Sequence, residues 1–403
     1  MILPATPDRR PKPDFAAIDF DQAPFIVIWE MTQACDLACV HCRAEAKPWR
    51  ESGELSTEEA KKLLTQVREF GQPLMVLTGG DPLKRPDLFE LIRFGDQLGL
   101  RMTLTPSGTK LMTRDVIQKM KDAGLARLAV SLDAATREEH DAFRKVTGSF
   151  DWTLAAVREA RAIGLDVQIN TTITRHNQSQ VPAMAELMKA IDICLWSVFF
   201  LVPTGRGQKK DLVSARRHEE VFQLLYDLSK TMPYDIKTTS AQAYRRVVIQ
   251  RRRMEGTAAT RPMEAGGWAS PTFLTERSQA AADASQGVAR AAKGINDGNG
   301  FVFISHLGEV CPSGFLPVSG GNVRKRSLVD IYRNAELFRS LRDYSRIKGK
   351  CGYCDYREVC GGSRSRSYGL TGDIHASDPT CLYIPPKPAK PVDPAEEPEL
   401  IED

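Results

Sequence analysis

Three closely spaced cysteines near the start of the chain have the strongest chemical signature in the sequence. Cys35, Cys39 and Cys42 are separated by three and then by two residues. Thiolates are soft ligands that suit iron–sulfur clusters and zinc. A 4Fe–4S cluster normally takes four cysteines, so three without a near fourth would leave one iron open. An open iron can chelate an amine and a carboxylate, which the methionine end of S-adenosylmethionine (SAM) offers; structural or zinc-binding cysteines are the alternative.

A glycine pair follows the next strand-like run of the chain. The stretch reads Thr78-Gly79-Gly80-Asp81-Pro82. Two glycines let the backbone come close to a ligand, because they carry no Cβ. Bare carbonyls at such a place can accept hydrogen bonds from an ammonium group, although an ordinary turn has the same composition.

Together, the cysteine triplet and the glycine pair resemble the signatures of the radical SAM superfamily. The resemblance implies that Cys35, Cys39 and Cys42 hold a 4Fe–4S cluster, which reduces SAM and releases a 5′-deoxyadenosyl radical. It also implies that the glycine motif holds the SAM amino group. Further SAM contacts are implied at the ends of later strands: Ser107, Ser131, Asp133, Arg144, Asn170, Thr172 and Val202. Arg144 is expected to pair with the SAM carboxylate, since guanidinium binds carboxylate bidentately; a surface ion pair is the alternative.

The segments that must position these residues alternate between apolar strands and helices. Strand-like runs lie at 25–29, 74–78, 101–105, 126–132, 166–173 and 195–201. Helical patterns lie near 56–70, 86–98, 113–123, 136–163 and 177–190, and Ser56 with Glu59 begins the first as a capping box. This alternation predicts parallel strands joined by right-handed crossovers, with chemistry on the loops that follow strands. The resemblance implies an α/β fold, a partial (β/α)6 TIM-like barrel that is open on one side.

A second group of cysteines lies near the other end of the chain. It comprises Cys351, Cys354, Cys360 and Cys381, with Cys311 upstream. Spacing alone allows zinc or iron–sulfur. The group resembles the SPASM extension of radical SAM enzymes, which usually has seven cysteines and two auxiliary clusters. Because Arg326 and Arg364 occupy two of the seven positions, the resemblance implies one auxiliary 4Fe–4S cluster on the four C-terminal cysteines, with Cys311 as an alternative ligand or a buried thiol.

Composition changes along the chain predict five segments. We expect an extended N-terminal arm at 1–20, the radical SAM partial barrel at 21–230, and a helical segment with a flexible linker at 231–300. A small cysteine-rich α+β domain of the SPASM/twitch type is expected at 301–384, and a disordered tail rich in proline and acidic residues at 385–403. Within the third segment, residues 238–254 have a helical pattern.

The overall charge and cysteine usage exclude several classes of protein. A net charge of +4 over 403 residues is too mild to indicate a nucleic-acid partner. No run of eighteen apolar residues predicts a membrane span, and the first residues lack the features of a signal peptide. Nine cysteines in such a chain indicate metal ligands rather than disulfides, and a cytoplasmic location. An electron donor such as flavodoxin or ferredoxin is expected as a partner.

The residues around the second cysteine group narrow the expected substrate. The stretch from Tyr356 to Arg366, with Cys-Val-His-Cys at 39–42, resembles the haem-biosynthesis branch, whose members remove or oxidise carboxylate side chains of tetrapyrroles. Arg364 and Arg366 suit a substrate with several carboxylates, or they screen the charge of the cluster. The auxiliary cluster would accept an electron from the product radical or anchor the substrate.

We therefore expect a radical SAM oxidoreductase or lyase-type enzyme that acts on a small-molecule tetrapyrrole. One alternative is a SPASM-type peptide maturase, although residues 1–24 are short for a precursor-binding domain. The non-enzymatic alternative is an iron–sulfur electron carrier or redox sensor. The glycine motif and Ser131-Leu132-Asp133 argue against a carrier, which needs no SAM site.

Overall fold

A ten-stranded sheet runs through the residues that the computed structural model describes, which are 18–256, 294–386 and 398–402. The strands are β1 (Ile26–Glu30), β2 (Leu74–Thr78), β3 (Arg101–Leu104), β4 (Arg127–Ser131), β5 (Val167–Ile173), β6 (Leu195–Phe200), β7 (Asp235–Thr239), β8 (Phe301–Ile304), β9 (Glu309–Cys311) and β10 (Gly321–Asn322). Their spatial order is β10-β9-β8-β1-β2-β3-β4-β5-β6-β7. Every pairing from β8 to β7 is parallel, and β9 and β10 are antiparallel additions. The six predicted strands are confirmed as β1 to β6, and β7 and β8 extend the parallel sheet.

Twelve helices lie within the described residues. They are α1 (Thr57–Glu69), α2 (Leu88–Gln97), α3 (Arg114–Asp122), α4 (Arg137–Arg144), α5 (Ser149–Ala162), α6 (Val181–Ala190), α7 (Ala215–Thr231), α8 (Tyr244–Met254), α9 (Leu328–Asn334), α10 (Glu336–Arg342), α11 (Gly349–Gly352) and α12 (Arg364–Thr371). The predicted capping box at α1 is present, with Ser56 accepting from the Glu59 backbone and Glu59 accepting from the Ser56 backbone. Short helical caps of this kind fix where each crossover returns to the sheet.

Two predicted helices differ from the structure. The predicted helix 136–163 is two helices, because Lys145 (φ +60°) and Gly148 (φ +92°) adopt left-handed backbone conformations between them. The predicted helix 238–254 begins only at Tyr244, because the residues before it form β7 along the edge of β6. Pairing with an existing sheet edge overrode the local helical pattern, as tertiary context often does.

Alternation along β5 shows how the barrel presents its side chains. Val167, Ile169, Thr171 and Ile173 are buried, whereas the residues between them are only half-buried. The buried set packs beneath the helices, and the alternate set faces the inside of the curved sheet. The carboxyl ends of the parallel strands therefore meet at one rim, where the predicted site residues lie.

The C-terminal unit is continuous with the barrel sheet. Ile26 in β1 pairs with Phe301 in β8, so β1 lies between β2 and β8 in the interior of the sheet. The segment boundary predicted at residue 301 therefore falls within a single sheet. Beyond β10 the unit consists of four helices, α9 to α12, and the loops that carry the second cysteine group.

Parts of three predicted segments lie outside the described residues: 1–17 of the arm, 257–293 of the linker, and 387–397 with 403 of the tail. In the last described stretch, the Ile401 amide donates to the Pro379 carbonyl at 3.1 Å, and the Ile401 carbonyl accepts from the Ala215 amide at 2.8 Å. Among the helices in the described ranges, none combines the length and the apolar character that crossing a bilayer requires.

Candidate active site and auxiliary cysteine pocket

The N-terminal cysteine loop follows β1 and gathers its three sulfurs in one place. Cys35 and Cys39 are buried against Leu37, and the half-buried Cys42 packs on the same group. The Cys35 sulfur accepts the Leu37 amide at 3.3 Å and lies 3.1 Å from the Ser107 hydroxyl. Hydrogen bonds to cysteine sulfur are among the features that tune iron–sulfur clusters. The loop thus supplies three grouped thiols, which fits a cluster with three protein ligands.

Burial of these sulfurs determines the protonation state that a binding metal ion would meet. Burial raises the pKa of the Cys35 thiol to about 11 and also raises the pKa of Cys39. Without a metal these thiols stay protonated at neutral pH, so binding an iron ion must release their protons. No group of three His, Cys, Asp or Glu side chains within the described ranges surrounds a single-ion position.

The glycine pair packs directly against the cysteine loop. The Gly80 amide donates to the Thr32 carbonyl at 2.7 Å, and the Asp81 amide donates to the Ala34 carbonyl at 2.6 Å. A Cβ at Gly79 would lie 2.5 Å from the Thr32 carbonyl oxygen, and one at Gly80 would lie 2.5 Å from the Ala34 carbonyl oxygen. The sequence predicted close approach of this backbone to SAM; the structure shows that it also has to approach the loop that holds the cysteines.

The other residues of the glycine motif are held by internal contacts. The Asp81 carboxylate is fully buried and accepts from the Leu83 amide (3.1 Å), the Ser107 amide (3.4 Å) and the Thr109 hydroxyl (3.3 Å). Burial raises the pKa of Asp81 to about 6. The Ser107 hydroxyl donates to the Gly80 carbonyl at 2.8 Å. Ser107 and Asp81 therefore connect the β2 and β3 ends to the cysteine loop, and Pro82 begins a 3-10 turn over Pro82–Lys84.

Arg144 has a buried partner within the protein. Its guanidinium forms an ion pair with Asp133 and reaches the Cys39 sulfur at 3.5 Å. Asp133 also accepts the Thr172 amide at 2.8 Å. Burial raises the pKa of Asp133, but the Arg144 charge together with His41, His140 and the Thr172 amide outweighs it. The net pKa is lowered, so this carboxylate stays ionised. The surface ion pair considered for Arg144 is thus a buried one, and it positions a cation beside a predicted cluster ligand.

The remaining predicted SAM contacts lie at the same rim. Ser131 pairs with Asn170 in the β4–β5 register, and both are half-buried on the inner side of the sheet. The Asn170 carboxamide accepts from Gln168 at 2.7 Å. The Thr78 carbonyl accepts the Met31 amide at 2.7 Å. Val202, in the loop after β6, is buried. The structure therefore brings the predicted contacts of β2 to β5 to one rim, and Val202 lies in the adjoining loop.

Sequence reasoning named Val202 in the loop after β6 but missed Gly205 and Arg206 of the same loop. The Arg206 amide donates to the Cys42 carbonyl at 3.0 Å, and its guanidinium donates to the Cys39 carbonyl at 2.9 Å. Gly205 has a φ of +56°, and a Cβ there would lie 2.5 Å from the Cys42 carbonyl oxygen. The signal was the Gly205-Arg206-Gly207 sequence five residues after the end of β6, since glycine allows a close backbone approach.

A buried ionic group behind the cysteine loop was also missed. Glu30, the last residue of β1, pairs with Arg43 at 2.8 Å and with His306 of the C-terminal unit at 2.9 Å. His306 reaches Glu51 at 3.3 Å through its other ring nitrogen. Burial lowers the pKa of His306, but the two carboxylates outweigh it and the net pKa is raised. In the sequence, Glu30 ends an apolar strand and Arg43 directly follows Cys42. An acid and a base at these two positions are the pattern that indicates such a pair.

The four C-terminal cysteines line one pocket. Its wall is formed by Cys351, Cys354, Cys360 and Cys381 together with Arg246, Lys350, Tyr356, Arg357 and Tyr383. Backbone amides point at three of the sulfurs: Tyr356 to Cys354 at 3.4 Å, Gly362 to Cys360 at 3.4 Å, and Asp378 to Cys351 at 3.5 Å. Four thiols around one space, with amide donors to the sulfurs, fit the four-cysteine ligand set of a 4Fe–4S cluster.

Cys311 lies apart from that pocket. It is in β9 opposite Phe303, and burial together with Glu309 raises the pKa of its thiol to about 12. The charged side chains of Glu30 and Arg43 also act on this thiol. Of the two positions expected for further cysteines, Arg326 makes a surface ion pair with Asp330. The structure thus places Cys311 behind the N-terminal loop and not with the four C-terminal cysteines.

Arg364 and Arg366 use their guanidinium groups inside the protein. Arg364 is buried and donates to the carbonyls of Ile374 (3.1 Å) and Ala376 (2.8 Å). Arg366 is buried, pairs with Asp378 at 3.2 Å, and donates to the Ser240 carbonyl at the end of the barrel. Neither therefore presents its guanidinium on a surface where substrate carboxylates could reach it.

The class of protein follows from two features of the partial barrel. A loop with three grouped cysteines follows its first strand, and a glycine turn packs against that loop. The radical SAM superfamily model matches residues 29–188, and the chain belongs to this superfamily. It is therefore an enzyme whose family uses a 4Fe–4S cluster and SAM. The electron-carrier alternative is thereby set aside.

Particular relatives extend this similarity over nearly the whole chain. The chain is 39% identical over 370 residues to the AdoMet-dependent heme synthase of Methanosarcina barkeri, covering 92% of this chain and 99% of the relative. It is 39% identical over 362 residues to the AdoMet-dependent heme synthase of Nitratidesulfovibrio vulgaris, covering 89% and 92%. The fold is similar to that of Streptococcus suis SuiB bound to S-adenosylmethionine, with a TM-score of 0.65, 14% identity, and coverage of 90% of this chain and 78% of that one.

Proposed function

We propose that this enzyme uses SAM radical chemistry to remove carboxylate side chains oxidatively from a tetrapyrrole. The observation that carries the proposal is the similarity to two heme synthases over about nine-tenths of the chain. Within this proposal Cys35, Cys39 and Cys42 would hold the N-terminal cluster, which would supply the electron that cleaves SAM. The rim residues of β2 to β5 then hold SAM against that loop.

The auxiliary pocket supports an oxidative outcome. A 4Fe–4S cluster held by Cys351, Cys354, Cys360 and Cys381 has a protein ligand for each iron. Such a cluster would leave no open iron to anchor a substrate, so accepting an electron is the expected role that fits this ligand set. After a hydrogen atom leaves a propionate side chain, the C–C bond to the carboxylate breaks, a C=C bond forms, carbon dioxide leaves, and one electron must be taken up. A cluster held by Cys351, Cys354, Cys360 and Cys381 would supply the acceptor for that electron.

The proposal is tested with the full chain, reconstituted anaerobically with iron and sulfide. Protein, SAM and a low-potential reductant are mixed with iron-loaded or metal-free coproporphyrin, and the products are analysed by mass spectrometry. We expect product that has lost carbon dioxide and two hydrogens per reacted side chain, with one 5′-deoxyadenosine formed for each. A porphyrin with esterified carboxylates is the matched control and should be unchanged.

Two results would contradict the proposal in different ways. Formation of 5′-deoxyadenosine with no modified tetrapyrrole of either kind would keep the radical chemistry and reject the substrate, which would favour the peptide alternative. Unchanged SAM in the wild-type protein, with the N-terminal cluster demonstrably present, would reject the chemistry as well. The Cys39→Ala variant is the background control because it removes one cluster ligand.

A further inference from the structure

Three cations surround the auxiliary cysteine pocket without a carboxylate partner. Lys350 donates to the Cys381 carbonyl at 2.7 Å, Arg357 to the Gly352 carbonyl at 2.8 Å, and Arg245 of α8 to the Val359 carbonyl at 2.9 Å. Each of these carbonyls belongs to a ligand cysteine or to the residue next to one. Within the described ranges, none of the three is in an ion pair. We refer to Arg245, Lys350 and Arg357 as the cation triad.

The other charges near the pocket are largely balanced. Arg246 pairs with Glu219, and Asp378 pairs with Arg366 at 3.2 Å. Asp355 is exposed, lies 3.8 Å from the Cys354 sulfur, and accepts the Tyr383 hydroxyl at 2.9 Å. Asp355 and the exposed Glu358 thus face the three cations and Arg364, which also has only carbonyl partners, so the protein around this pocket is net positive.

The N-terminal site has the opposite arrangement. Arg144 is paired with Asp133, and Arg43 is paired with Glu30. Arg206 has only carbonyl partners in the described ranges, but the fully buried Asp81, which has no cation partner there, offsets it. The charges around the SAM loop therefore sum to about zero.

This difference has an electrochemical consequence. A 4Fe–4S cluster on four thiolates is anionic and gains one more negative charge on reduction, so nearby positive charge favours its reduced state. The triad residues are half-buried, where solvent and salt screen charge less than at an open surface. Resting on the function proposed above, we infer that the cation triad raises the reduction potential of the auxiliary cluster above that of the SAM cluster. The electron released by the substrate radical then flows to the auxiliary site.

The test measures the midpoint potential of each cluster by EPR-monitored redox titration of the full holoenzyme. Lys350→Met, Arg357→Gln and Arg245→Gln should each lower the auxiliary potential and leave the SAM cluster unchanged. For the triple variant we expect at least about a tenfold change in the reduction equilibrium, which is about 59 mV for a one-electron couple. Arg357→Lys keeps the positive charge, so its auxiliary midpoint potential should equal that of the wild-type protein. Arg253→Gln, an exposed position on the same helix, should have no effect.

The same titration, repeated on full-length chain with Cys35, Cys39 and Cys42 changed to Ala, isolates the auxiliary signal. A wild-type auxiliary potential equal to or below that of the SAM cluster would overturn the inference. So would an unchanged potential in the triple variant with its four irons retained. A wild-type chain that binds no iron at the four C-terminal cysteines would instead overturn the auxiliary site of the proposed function, and the inference with it.

Discussion

The two cysteine sites differ in where their supporting contacts come from. The N-terminal loop is held by residues far away in sequence: the Gly80 amide bonds to Thr32, Ser107 contacts Cys35, and Arg206 bonds to Cys39. In the auxiliary pocket the amides that point at sulfur come from residues 356, 362 and 378, within the same local stretch as the cysteines. The SAM loop therefore needs the assembled rim of the barrel. The auxiliary loops take their sulfur contacts from their own stretch, and Arg245 of α8 and Asn296 hold the backbone next to Cys360 from outside it.

The difference suggests how each site responds to damage. A change in the barrel rim should disturb the SAM loop and spare the auxiliary pocket, because few of the contacts at that pocket come from the rim. A change among residues 351–381 should do the reverse. Iron content, SAM cleavage and the two EPR signals measure the sites separately.

The largest expected effect is the separation of the two sites by single cysteine changes. Wild-type protein should hold about eight irons, from two clusters of four. Cys39→Ala should abolish 5′-deoxyadenosine formation and keep about four irons. Cys360→Ala should also keep about four irons but still cleave SAM, since its cluster is not the one that binds SAM. If Cys360→Ala lost SAM cleavage with its N-terminal cluster intact, the two sites would not be independent.

A large effect is expected from breaking the buried pair beside Cys39. Arg144→Met leaves Asp133 as an uncompensated buried charge, and removing one partner of such a pair costs about 3–5 kcal/mol. Chemical denaturation of the variant measures this loss. The double variant Arg144→Met with Asp133→Asn removes both charges and should recover much of the stability. Equal losses in the single and double variants would show that an uncompensated Asp133 charge is not the cause of the loss.

Backbone crowding at the glycine pair should give an intermediate effect. An alanine Cβ at position 80 would lie 2.5 Å from backbone oxygens of the cysteine loop, which cannot swing away as a side chain would. Overpacking of this kind costs about 1–3 kcal/mol. Gly80→Ala should therefore weaken the SAM cluster signal and leave the auxiliary signal intact. Gly53→Ala, whose new Cβ would meet only the flexible Leu307 side chain at 3.1 Å, is the control.

The smallest expected effect depends on pH and concerns the contact between the two parts of the chain. The pKa of His306 is raised in the folded state, so its ion pairs with Glu30 and Glu51 stabilise the protein fully below the unfolded histidine pKa, about 6.5. This contribution is lost as the pH rises through the higher folded pKa. His306→Gln should lower stability by about 1 kcal/mol at pH 6 and by less at pH 9.

Thermal unfolding of the His306→Gln variant and the wild-type protein at both pH values measures that gap. His176→Gln, which removes an exposed histidine paired with Asp211, should show little difference at either pH. A gap that widened toward alkaline pH would contradict the assigned sign.

Local patterns predicted most of the fold and the identity of the chemical groups. The spacing of Cys35, Cys39 and Cys42, the glycine motif and the strand–helix alternation each depend on neighbouring residues, and all three recur in the structure. Contacts between distant segments were not predictable in this way. The Glu30–His306 pair and the β1–β8 pairing join residues far apart in sequence. Arg364 and Arg366 were associated with substrate because of their charge, but burial gives them backbone and carboxylate partners instead.

The position of β1 between β2 and β8 also affects how the chain is made. On one side, β1 pairs with β8, so this side stays unpaired until Phe301 has been synthesised. At ribosomal rates of roughly 5–20 residues per second, the wait is on the order of tens of seconds. During that time one edge of β1, immediately before the cysteine loop, presents unpaired amides and carbonyls, and such edges promote association between nascent chains. The sheet edge next to the cysteine loop is thus covered only after residue 301 has been made.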